Sequence, residues 1–76
     1  MNDKRREKLK EALALFQAGE RIIEQILDKE QDCVYNYPEN LQSTEVFERM
    51  ENAVEELLEA VICSTELQTH ISLAIS

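Results

Sequence analysis

The sequence predicts an all-α chain: an antiparallel two-helix hairpin that oligomerises into a helical bundle, a four-helix bundle if dimeric. Three observations lead there. Apolar residues recur at three- and four-residue steps through two long stretches. Turn residues gather in one segment only, Tyr35 to Ser43. One glycine, one proline and 5% aromatic residues leave little material for the turns and aromatic strands of a sandwich or barrel. With 43% apolar and 32% charged residues the chain is too apolar for a disordered segment and too charged for a membrane span. Its 76 residues form one unit, with helix one over about 3–33, a turn over 34–43 and helix two over about 44–75.

Helix one carries Leu9, Leu13, Phe16, Ile23 and Leu27 on one seam, with Leu15, Gly19, Ile22 and Ile26 widening it toward one side. An arc this wide exceeds what one partner helix covers, so a second interface is implied. Gly19 costs about 1 kcal/mol relative to alanine inside a helix. Its place on the apolar arc predicts a close helix approach.

The turn reads Tyr35-Asn36-Tyr37-Pro38-Glu39-Asn40-Leu41-Gln42-Ser43. Pro38 biases Tyr37 toward extended backbone. Asn36 or Asn40 suits a left-handed residue, and Ser43 or Thr44 can cap the next helix. The two tyrosines and Leu41 either fold back over the helix ends or face solvent.

Helix two shows a heptad seam of Phe47, Met50, Val54, Leu57 and Val61 that continues through Ser64, Gln68, Ile71 and Ile75. Two polar side chains therefore occupy seam positions. Val46, Ala53, Leu58, Ala60 and Ile62 widen this face as well. Pairing about the turn is expected to set residue i near residue 76 − i. That register keeps Cys33 and Cys63 apart, so no intramolecular disulfide is expected.

A hairpin of this size cannot enclose a core, and chains below about 70–80 residues usually need a metal, disulfides or oligomerisation. Cys33 and Cys63 lack CxxC spacing and have no histidine at zinc-ligand distance in sequence. Neither a metal nor any other cofactor is expected, and the cysteines read as reduced, buried, small apolar residues. Self-association remains, with Leu13, Phe16, Ile23, Val54, Leu57 and Val61 predicted to meet in the oligomer core.

The net charge is −8, and its sign is unevenly distributed. Residues 1–10 carry Lys4, Arg5, Arg6, Lys8 and Lys10 against Asp3 and Glu7, while the turn half carries twelve carboxylates against Arg21, Lys29 and Arg49. Duplex nucleic acid is an unsuitable partner for such a surface. A basic protein surface, of the kind that otherwise holds nucleic acid, is a better one. Antiparallel pairing sets the basic first turns beside the negative C-terminal end of helix two.

No phosphate loop, nucleophile elbow or paired metal-protease histidines occur, so an enzyme is not expected. Glu48, Glu51, Glu55 and Glu59 form a ridge at helical spacing, readable as a solvated face or as a contact ridge for a basic partner. At the other end, Lys4, Arg5, Arg6 and Lys8 with Gln68 and His70 outline an alternative site for a small anionic ligand such as a signalling nucleotide. Dipole compensation and solubility explain the same charges. The charged start and the lack of an apolar run of about 18 residues predict a cytoplasmic protein that does not enter a membrane.

The segments Asp28-Lys29-Glu30-Gln31-Asp32, Asn36-Tyr37-Pro38-Glu39-Asn40-Leu41-Gln42-Ser43, Met50-Glu51-Asn52-Ala53-Val54 and Leu57-Leu58-Glu59-Ala60 resemble small acidic helical phage and prophage proteins of Gram-positive mobile elements. The likeness covers residues 28–60, and the Asn-x-Pro-Glu-x-Leu-Gln-Ser turn is its most specific part. Ile62-Cys63-Ser64-Thr65 departs from it. The resemblance implies a phage accessory protein in the cytoplasm of a bacterial host, acting by binding, as an inhibitor of a host defence protein. An oligomeric nucleotide sponge and a purely structural self-assembly module are the alternatives.

Overall fold

The computed structural model describes all 76 residues as two long helices, α1 (Asp3–Tyr35) and α2 (Glu45–Ile75), joined through a single 3-10 turn at Glu39–Leu41. The helices pack antiparallel into a rod of 59 × 15 × 14 Å. Both start on a side-chain cap. Asn2 Oδ1 accepts from the Arg5 amide at 2.9 Å, and Thr44 Oγ1 accepts from the Phe47 amide at 3.3 Å. The Thr44 hydroxyl also donates to the Leu41 carbonyl at 2.7 Å, so one side chain closes the turn and opens the helix.

α1 runs to Tyr35, two residues past the end expected from spacing. Its terminus uses no left-handed residue, contrary to the role assigned to Asn36 or Asn40, since no residue has positive φ. Instead the Asn36 amide and its Nδ2 both donate to the Asp32 carbonyl, at 3.0 and 2.9 Å. That satisfies a terminal carbonyl without a backbone reversal. The chain then turns around residue 40, and cross-helix contacts join Arg6 to Ile75, Glu20 to Thr65 and Tyr37 to Phe47. The expected i to 76 − i register is thus shifted by five to nine residues.

Between the helices lies one seam. On α2 it contains Phe47, Met50, Val54, Leu57, Val61, Ser64, Gln68, Ile71 and Ile75, every one buried or half-buried. On α1 it contains Leu9, Leu13, Ile23, Leu27 and Val34. Only Leu27 and Phe47 are fully buried, and Tyr37 stacks on Phe47 with ring centroids 5.3 Å apart. Tyr35, by contrast, is 87% exposed.

Phe16 departs from its expected core position and is 42% exposed. Facing its turn of helix, α2 offers the polar pair Ser64 and Gln68, whose side chains bond to each other at 2.9 Å. A phenyl ring gains nothing by entering that layer. Both cysteines are free and exposed, against the expectation that they pack as buried apolar residues, because they lie beside the seam and not on it.

Leu27→Ala and Phe47→Ala should each lower stability by about 3 kcal/mol, the usual cost of a large-to-small change at a packed site. Leu73→Ala, at a position 65% exposed, should change it little. Urea denaturation followed by helical circular dichroism measures all three.

Candidate interaction surfaces

Helical geometry assigns every exposed residue to one side of this hairpin. At about 100° per residue, Gln17 and Glu24 fall to one side of the α1 seam and Gly19 and Ile26 to the other. Because α2 runs antiparallel, Glu51, Leu58 and Thr65 join the first side, and Val46, Ala53, Ala60 and Leu67 join the second. The structure fixes this assignment independently. The Thr65 hydroxyl donates to Glu20 Oε1 at 3.1 Å, and Gln17, Thr65, Thr69 and Ser72 line one shallow polar groove.

The first side is polar and acidic. Glu48, Glu51, Glu55 and Glu59 are all exposed and form no ion pair with a side chain of the hairpin. Only their neighbour Glu45 does so, with Arg49 at 2.9 Å. Glu24 and Asp28 of α1 extend this field on the same side, a contribution that spacing along α2 alone could not reveal. Six carboxylates on one side with little compensation project a negative potential into solvent.

The second side is apolar. Leu15, Ile22, Ile26, Val46 and Leu67 are 74%, 58%, 47%, 56% and 40% exposed. Small residues, Ala12, Gly19, Ala53 and Ala60, separate them. Gly19 does not mark a close approach of α1 to α2, as its place on the apolar arc had suggested. A Cβ built there meets nothing within 4 Å, because the residue lies beside the seam and faces open space. The apolar flank of α2 is divided as well: Leu58 and Ile62 belong to the acidic side.

Five of the six predicted core residues, Leu13, Ile23, Val54, Leu57 and Val61, are half-buried on the seam inside the hairpin, and Phe16 stands off it. The residues of the alternative anion site are brought together in part: Lys4, Arg5 and Lys8 line one depression, and Arg6, Gln68 and His70 are not among its lining residues. Arg6 Nε donates to the Ile75 carbonyl at 3.1 Å and its Nη1 to Asp3 at 3.2 Å, so this guanidinium fastens the terminal end of the rod. Gln68 points into the seam toward Ser64. Lys4, Arg5 and Lys8 are exposed along a shallow depression against Met1 and Leu9, and Lys8 also lies 3.8 Å from Glu11. His70 is exposed on the outer surface of α2. No three His, Cys, Asp or Glu side chains stand together as metal ligands, and no helix is long and apolar enough to cross a membrane.

No family model, curated protein or solved structure matches this chain.

The Ser64–Gln68 layer interrupts an otherwise apolar seam. Ser64→Ala with Gln68→Leu should raise stability by about 1 kcal/mol, since both polar partners are removed together and a half-buried leucine replaces them. A thermal melt that falls instead would show that the polar layer itself stabilises the hairpin.

Proposed function

We propose that the protein is a non-enzymatic, phage-type accessory protein that self-associates into a helical bundle and acts by binding. In this reading its acidic side covers a basic surface of a host protein and thereby inhibits it, a host defence protein being the natural target. The observation that carries the reading is the segregation of the two sides. Carboxylates that no side chain of the hairpin pairs with crowd one side, while the other is left apolar.

The two sides suit two different contacts. Apolar area is withdrawn from water by self-association. Unpaired like charge is unfavourable for the isolated hairpin, and a partner bearing Lys and Arg relieves it while being steered in from a distance. The resemblance of residues 28–60 to phage proteins supplies the biological setting, and the turn that carries it lies at the acidic end of the rod.

Affinity capture from a bacterial lysate, followed by measurement on the purified partner, tests the reading. Glu48→Lys with Glu55→Lys should weaken that partner's binding by about tenfold or more, and added salt should weaken the wild-type complex. Binding that is unchanged by both treatments would remove the acidic side from the mechanism.

A further inference from the structure

The polar groove on the acidic side is built around a carboxylate in an unusual place. Along α1 the seam line runs Leu13, Phe16, Glu20, Ile23 and Leu27 at alternating steps of three and four, so Glu20 holds a position where an apolar side chain would pack. It is half-buried there. Glu20 forms no ion pair, and its one side-chain hydrogen bond comes from the Thr65 hydroxyl at 3.1 Å. A carboxylate partly withdrawn from water is costly unless a cation or several donors face it. Glu30 holds an equivalent seam position, but no depression opens against it.

The lining of the groove presents acceptors. The Thr65 hydroxyl shares its proton between Glu20 Oε1 and the Val61 carbonyl at 3.0 Å, the Thr69 hydroxyl donates to the Thr65 carbonyl at 2.9 Å, and the Ser76 hydroxyl donates to the Leu73 carbonyl at 2.9 Å. Gln68 turns its amide nitrogen onto Ser64 at 2.9 Å. These protons are all committed inside the hairpin, which leaves side-chain oxygens to accept from whatever enters.

No cation of the hairpin fills this space. Lys10 is held by Glu7 at 3.1 Å, and Arg21, exposed on α1, is not part of the lining. The volume, about 490 Å³, lies within the roughly 300–1,000 Å³ of small-ligand sites. Glu20 is the only carboxylate of the lining, and no cluster of metal ligands includes it, so a divalent ion is a poor match. An organic cation fits better. Guanidinium is favoured over ammonium, because its planar fork pairs with a carboxylate through two parallel bonds and has further donors for the oxygens alongside.

We infer that this groove seats one arginine side chain of the basic partner, its guanidinium paired with Glu20 and its remaining donors on oxygens of Gln17, Thr65 and Thr69. The inference rests on the proposed binding of a basic surface and assigns the anchor of that contact. Glu24, one turn along α1 from Glu20, joins the groove to the acidic field. The exposed ridge then steers the partner in, and the half-buried carboxylate holds it.

Titration of the full chain with N-ethylguanidinium, followed by two-dimensional amide NMR, reads the groove without the partner. Amides at Gln17, Glu20, Thr65 and Thr69 should shift and saturate, whereas uncharged N-ethylurea should move none of them. Glu20→Gln keeps the shape and an oxygen for Thr65 but removes the charge, and it should weaken ethylguanidinium by about tenfold or more. Glu59→Gln removes the same charge from the ridge and should weaken it by less than about twofold. Shifts that are as large along Glu48 to Glu59 as in the groove, that never saturate, or that survive Glu20→Gln would overturn the site. An n-butylammonium ion that binds as tightly would overturn its assignment to arginine. The ridge is judged separately, by the partner's response to Glu48→Lys with Glu55→Lys, so the groove and the ridge can each fail alone.

Discussion

Two helices share only one line of contact, and every other feature of this protein follows from how little that line can bury. The seam runs the length of the rod, but full burial is reached only at Leu27 and Phe47, toward the turn. Toward the termini the layer of Ser64 and Gln68 interrupts it, and the Arg6 bond to the Ile75 carbonyl holds the ends together. Packing is therefore graded from a tight turn end to a polar terminal end. Local opening should begin at the termini, where few apolar contacts resist it.

The same scarcity explains the division of the surface. A chain that must bury more than its own seam allows has to keep a second apolar face, and that face must stay free of unpaired charge. With a net charge of −8 this requires sorting. The heptad repeat performs the sorting because each flank position recurs every seventh residue on the same side. Val46, Ala53, Ala60 and Leu67 occupy one flank of α2, whereas Glu51, Leu58 and Thr65 occupy the other. Leu58 and Ile62 remain as apolar residues on the acidic side, and nothing in the structure explains them.

Much of the fold was legible in the sequence, for reasons that also show where legibility ended. The three-and-four spacing from Phe47 to Ile75 names the seam residues directly, including the two polar ones. The acidic first turn of α2 announces a cap at Ser43 or Thr44, and the Thr44 bond to the Phe47 amide decides between them. The register was not legible. α1 ends on a bond from the Asn36 side chain to the Asp32 carbonyl, without the glycine or left-handed residue that usually marks a helix end. Phe16 was misplaced because spacing shows that a residue is on the apolar arc, but only the opposite helix shows whether an apolar layer awaits it. The acidic ridge was visible along α2, yet its extension by Glu24 and Asp28 depends on how the two helices face each other.

Gly19 condenses these lessons. In a single helix it is an unfavourable residue, and in the hairpin it contacts nothing that would require it. A residue whose cost is repaid by neither its helix nor its chain directs attention to a contact outside the chain. At the midpoint of α1, flanked by the exposed Leu15, Ile22 and Ile26, it leaves a gap among larger side chains on the apolar side.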